Sequence, residues 1–290
     1  MQPVADDPGR SLFDRIPFRL VGGRNPLILV PVQVDGMGPY QFILDTGASH
    51  CLLSPELAEI LGVRPEIEEQ AMGAGGAVTL AFAHVASLAV GSTRRSNLQV
   101  AITGELRRIG EAIGCRVDGD LGFSFLKDFS LTIDYQARTL CFASLSQTGN
   151  GSRTAHSIPF KLAAEHKPLI LAQVIVNDQG PFQFAVDTGA SKTMLSSELA
   201  AKLAIEITEV RPATGGGGQI KIFAGRANSL AVGNAVVRDH AIGVGEFLTM
   251  LSAAIGARLD GIVGYNFLNQ FRVTIDYPRS VLELVPATVQ

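Results

Sequence analysis

The stretch Phe42-Ile43-Leu44-Asp45-Thr46-Gly47-Ala48-Ser49 returns 142 positions later as Phe184-Ala185-Val186-Asp187-Thr188-Gly189-Ala190-Ser191. In each copy a short apolar run delivers one Asp into a Thr-Gly-Ala-Ser turn. A carboxylate carried in by buried strand residues is costly to bury alone. Two of them, each brought by its own half-chain, point to a pair that meets.

The repeat extends well beyond this block. Ile16-Pro17-Phe18 matches Ile158-Pro159-Phe160, and Pro26 to Leu29 matches Pro168 to Leu171. Ser87 to Gly91 matches Ser229 to Gly233, Asp118-Gly119 matches Asp260-Gly261, and Thr132 to Tyr135 matches Thr274 to Tyr277. Without a gap, residues 16–142 and 158–284 share about 50 identities, far above chance for so long a span. Two duplicated lobes are therefore expected, at 13–143 and 155–290, with a tail at 1–12 and a small, polar linker at 144–154. A linker of that length spans on the order of 30 Å when extended, ample to set the lobes face to face.

Within each lobe the pattern is mostly strand. Leu27 to Val34 and Tyr40 to Leu44 flank a turn at Asp35 to Pro39, so Asp45 falls just past a strand end. Ser54-Pro55-Glu56 opens a short helix that Gly62 closes, and Ser196 and Glu198 open its counterpart. Second helices are expected at 105–114 and 246–255. Leu131 to Phe142 and Val273 to Val285 read as closing hairpins, turning near Tyr135-Gln136 and Tyr277-Pro278. Few helices and many short strands give an all-β class with a pseudo-two-fold pair of barrel-like lobes.

Composition narrows the function. The chain has 290 residues, 47% hydrophobic and 18% charged, and a net charge of −3. There is no basic excess to draw phosphates, and no Trp and only 4 Tyr to stack bases, so no nucleic-acid partner is expected. The 3 cysteines (Cys51, Cys115, Cys141) match no metal spacing, the 5 histidines are scattered, and no metal or cofactor is expected. Met1 to Pro8 lacks the layout of a signal peptide, and the longest apolar run, Leu27 to Val34, is too short to span a bilayer. A soluble, unanchored protein is expected; its compartment does not follow from these residues.

Two carboxylates a few ångströms apart cannot both ionise cheaply, so they share a proton. The charged one can serve as general base on a water and the protonated one as general acid, which splits an amide without metal or covalent intermediate. Gly47 and Gly189, lacking Cβ, let the turns approach. The hydroxyls of Thr46 and Thr188 can bond across the lobe interface, and those of Ser49 and Ser191 can donate to the outer carboxylate oxygens.

On these motifs the chain resembles the retropepsin-like aspartic proteases, whose small β lobes each donate one Asp-Thr-Gly turn. The resemblance implies that Asp45 and Asp187 are catalytic, supported by Thr46, Gly47, Ser49, Thr188, Gly189 and Ser191. It implies a peptide or protein substrate, and a monomer in which fusion replaces the family's homodimer. It also implies two Gly-tipped flaps over the cleft, at Gly73, Gly75 and Gly76 and at Gly215, Gly217 and Gly218. The family's second signature, two apolar residues and Gly beneath the dyad, stands at Ile262-Val263-Gly264. Lobe one has Asp120-Leu121-Gly122 there. This departure motivates an alternative, a catalytically silent peptide-binding module on the same fold.

Other features have plainer readings. The glycines at 215–218 lack the Lys-Ser/Thr of a phosphate loop and precede an alternating stretch, so a hairpin tip is expected. Asp118, Asp260, Asp134 and Asp276 read as turn residues, His50 and Lys192 as rim residues, and Cys51 as a small apolar filler.

Overall fold

The computed structural model describes residues 14–144, 157–164 and 167–287. The expected tail lies outside them, as does the expected linker apart from Ser144, which ends a strand.

The first half begins with strands β1 (Ile16–Pro17), β2 (Arg19–Val21), β3 (Leu27–Val34) and β4 (Met37–Leu44). Then come β5 (Cys51–Leu53), helix α1 (Pro55–Leu61), β6 (Ile67–Gly73), β7 (Gly76–Val90) and β8 (Thr93–Ile102). It closes with α2 (Glu105–Ile113), β9 (Gly119–Leu121), α3 (Phe123–Leu126), β10 (Phe129–Asp134) and β11 (Thr139–Ser144). The second half repeats this order. It runs through β12 (Ser157–Pro159), β13 (Lys161–Leu162), β14 (Ile170–Val176), β15 (Gln179–Val186), β16 (Met194–Ser196) and α4 (Ser197–Lys202). It continues with β17 (Ile207–Gly215), β18 (Gly218–Val232), β19 (Ala235–Gly245), α5 (Phe247–Ile255), β20 (Gly261–Val263) and α6 (Tyr265–Leu268), and ends with β21 (Phe271–Asp276) and β22 (Val281–Pro286).

Each lobe is an eight-stranded sheet, ordered β2-β3-β4-β9-β5-β8-β7-β6 in one and β13-β14-β15-β20-β16-β19-β18-β17 in the other. A further pairing, β3 with β7 and β14 with β18, curls each sheet back on itself. The fold is all-β with short helices, built as a pseudo-two-fold pair of lobes.

Local sequence explains the elements that frame the site. Alternation in β3 sends Ile28, Val30, Val32 and Val34 into the core. Asp35 (φ 51°) and Gly36 (φ 78°) make a two-residue reversal, so β4 starts at Met37 rather than at the expected Tyr40. Helix α1 is capped by the Ser54 hydroxyl, which accepts from the Leu57 amide, and stops at Gly62 in the left-handed conformation. Ser196 caps α4 in the same way. Asp118 and Asp260 are structural: each accepts the amide of a β4 or β15 residue, Gln41 or Gln183, and pairs with Arg116 or Arg258.

The lobes are joined by a third sheet, ordered β1-β11-β10-β21-β22-β12. Strands β10 and β21 pair antiparallel with Thr132 opposite Thr274, whose hydroxyls lie 3.0 Å apart on the pseudo-two-fold axis. Edge-to-face ring pairs cross between lobes on either side, Tyr135 with Tyr265 at 5.5 Å and Phe123 with Tyr277 at 5.6 Å. Each such pair adds about 0.5–1.5 kcal/mol beyond the area it buries. This shared base fixes the two lobes under the Asp turns.

Candidate active site

Asp45 follows β4 and Asp187 follows β15, and both turns lie at the lobe interface. The Asp45 amide donates to the Leu121 carbonyl (3.2 Å) and the Asp187 amide to that of Val263 (3.0 Å). The two lobes therefore anchor their Asp residues alike, and the Asp120 departure does not displace Asp45.

The Thr residues cross between lobes. Each hydroxyl accepts the amide of the opposite Thr, Thr46 N to Thr188 Oγ1 and Thr188 N to Thr46 Oγ1, both at 3.1 Å. Each then donates to the strand that leads into the other turn, Thr46 Oγ1 to the Val186 carbonyl (2.9 Å) and Thr188 Oγ1 to that of Leu44 (2.8 Å). Thr46 and Thr188 are both buried, so these four bonds work without competition from water.

The glycines set the approach. A Cβ on Gly47 would lie 2.8 Å from the Asp187 carboxyl carbon, and one on Gly189 would lie 2.5 Å from that of Asp45. Each turn thus packs its glycine against the other lobe's carboxylate, and no side chain fits between. The Gly47 amide donates to Asp45 Oδ1 (2.6 Å) and the Gly189 amide to Asp187 Oδ1 (2.8 Å). Donation to the carboxylates was expected from Ser49 and Ser191. No hydrogen bond joins either hydroxyl to them among the described residues; the amide two residues after each Asp reaches Oδ1 in an Asx turn instead.

Each carboxyl group is thus held against the opposite turn, and the two act on each other electrostatically. Burial pushes Asp187 well above the usual carboxylate range, and the charge of Asp45 and its hydrogen bond raise it further.

Strands β6–β7 and β17–β18 form hairpins tipped at Gly73 to Gly76 and Gly215 to Gly218. The four glycines of the second form a hairpin tip, as the alternating stretch after them implied. The tips meet: the Gly75 amide donates to the Gly216 carbonyl (2.7 Å), and Gly73 stacks backbone-to-backbone on Gly216.

A contact that sequence reading missed holds one tip. Glu105, at the start of α2 in lobe one, accepts the amide of Gly217 in lobe two (2.9 Å) and pairs with Arg108. Its counterpart in lobe two is Phe247, which packs apolar. Glu105→Ala is expected to speed amide exchange at the Gly217 tip by about 10- to 100-fold, as loss of a charge-assisted bond dictates. Exchange at Gly75 is expected to change less, which hydrogen exchange resolved by residue would check.

Cys51 is fully buried in the core, its thiol pushed up to about 11 by burial, which fits a filler. His50 sits half-buried edge-on to Phe82 of β7, 5.0 Å between centroids. Burial lowers its pKa, so it is a neutral wall residue near neutral pH.

Residues 30–125 and 172–267 each match the model of one family, described as Aspartyl protease. The chain belongs to that aspartyl protease family. The two matched stretches are the same part of the repeat, so the chain is two retropepsin-like lobes in tandem. Both stretches contain an Asp turn, a Gly-tipped hairpin and the strand beneath the turn. No curated protein matches the chain closely enough to add a relative. No described helix is long and apolar enough to cross a membrane.

Proposed function

We propose that the protein is an aspartic endopeptidase whose two lobes complete one catalytic dyad, Asp45 with Asp187, within a single chain. The observation that carries this reading is the reciprocal packing of each turn's glycine against the other turn's carboxylate.

In the proposed reaction an extended peptide lies between the lobes under both hairpins, which act as flaps. Asp45, ionised, takes a proton from a water set between the carboxyl groups. The water oxygen attacks the scissile carbonyl carbon as Asp187 passes its proton to the carbonyl oxygen, which gives a tetrahedral diol. Asp45 then protonates the departing nitrogen, Asp187 takes back a proton from the diol, and the C–N bond breaks. Both carboxyl groups return to their starting forms.

Hydrolysis by this route needs Asp45 charged and Asp187 protonated, so kcat/KM is bell-shaped in pH. Because burial and the Asp45 charge raise Asp187, the basic limb is expected above the ordinary carboxylate range. Digestion of a peptide library across pH 3–8, with new termini counted, tests the proposal. Saturable binding with no new termini at any pH would instead support the peptide-binding module. That reading drew on Asp120, and the matching anchorage of Asp45 and Asp187 argues against it.

A further inference from the structure

Asp120 stands where the other lobe has Ile262, which packs in an apolar cluster with Ala185 and Met194. On β9 it lies in register with Ile43 of β4 on one side and Leu52 of β5 on the other. It is 4% exposed, yet no described ion pair reaches it, and its Oδ1 atom has no donor among the described residues. An isolated carboxylate in such a place neutralises rather than remaining charged. Its neighbour in the chain, Leu121, accepts the Asp45 amide (3.2 Å), and Asp45, two residues beyond Ile43, is the charge that acts on Asp120 most strongly. A proton on Asp120 resolves the orphaned oxygen, since an acid donates where an anion would repel.

We propose that Asp120 is a positioning residue, a carboxylic acid that donates to Asp45 and makes the dyad a cluster of three carboxyl groups sharing two protons. Asp45 then accepts from Asp120, from Asp187 and from the Gly47 amide, which fixes the negative charge on lobe one. Burial first, then the charge of Asp45, holds Asp120 well above the usual carboxylate range. The other titratable group close by is Cys51 on β5, whose thiol remains neutral. The site is thereby asymmetric although its turns are not: Asp45 begins each cycle as the base and Asp187 as the acid.

A donor to the ionised form lowers the midpoint of its acceptor. Removing Asp120 is therefore expected to raise the Asp45 midpoint and, with it, the acid limb of kcat/KM. The kinetic consequence rests on the proposed protease activity; the titration does not. The test is carboxyl 13C titration of the full chain as wild type, Asp120→Asn and Asp120→Ile, with pH–rate profiles of the same proteins. Asp120→Ile, which copies lobe two, is expected to move both the Asp45 midpoint and the acid limb up by about one pH unit, with KM unchanged. Asp120→Asn, whose amide donates without titrating, is expected to keep both near wild type and to show two coupled steps where wild type shows three. That difference decides the matter even if Asp120→Ile fails to fold. An Asp120 that titrates as an ordinary surface carboxylate, or an Asp45 midpoint equal in all three proteins, would overturn the proposal. Coupled steps in a protein that cleaves nothing would leave it standing and remove the protease reading instead.

Discussion

Asp187→Asn abolishes peptide hydrolysis in this account, with kcat lowered by at least about 10³-fold and KM changed little. The substitution is nearly isosteric, and an Asn oxygen still accepts the Gly189 amide that now meets Asp187 Oδ1. The Thr46–Thr188 cross-bonds do not involve the carboxylate and remain. What is lost is the proton that the carbonyl oxygen requires. Stability moves the other way. The native midpoint of Asp187 is raised above its unfolded value, so its contribution is fully present below about pH 3.9 and is lost as pH rises through the native midpoint. The Asn variant has no such loss and is expected to gain on wild type as pH rises. Thermal unfolding of the two proteins at pH 4 and pH 7.5, beside their kcat values, checks both signs. A variant that loses activity by misfolding would instead lose stability at every pH.

Gly189→Ala has the second large effect, and it acts by shape alone. The added methyl would sit 2.5 Å from the Asp45 carboxyl carbon, 2.6 Å from its Oδ1 and 2.7 Å from its Oδ2. The Asp45 carboxyl group or one of the two turns must move. Overpacking of this kind costs about 1–3 kcal/mol, and a 1 Å displacement of a catalytic group costs on the order of 10²-fold in rate. A Tm lower by several degrees together with at least that loss in kcat/KM is expected. Gly104→Ala is the control: nothing lies within 4 Å of its would-be Cβ, and its φ of −73° suits any residue. It is expected to leave both measurements near wild type.

The sequence made some of this architecture legible and hid the rest for identifiable reasons. The offset between Asp45 and Asp187 revealed the tandem lobes because identical turns must satisfy identical constraints. The ends of α1 were legible in Ser54, Pro55 and Gly62, whose backbone roles are local. The hairpins of β10–β11 and β21–β22 were legible too, but not that β10 pairs with β21. Alternation marks a strand without naming the edge it joins, and the Thr132–Thr274 register is a property of the assembled lobes. Helices α3 and α6 are four residues long, one turn each, too short to show a helical period. Glu105 reads as an ordinary charge at a helix start; its bond to Gly217, across 112 positions, exists only in three dimensions. Asp120 was visible as a mismatch with Ile262; its burial with an orphaned Oδ1 was not, because it depends on the strands packed around β9.

The central claim is that one chain contains one complete dyad. Mixing equimolar Asp45→Asn and Asp187→Asn chains, each assayed alone and together beside wild type, tests it most directly. Wild type should cleave, each variant alone should not, and the mixture should remain silent because neither chain has both carboxyl groups. Cleavage by either variant alone would contradict the dyad. Activity restored on mixing would contradict its intramolecular assembly and show that the lobes pair between chains.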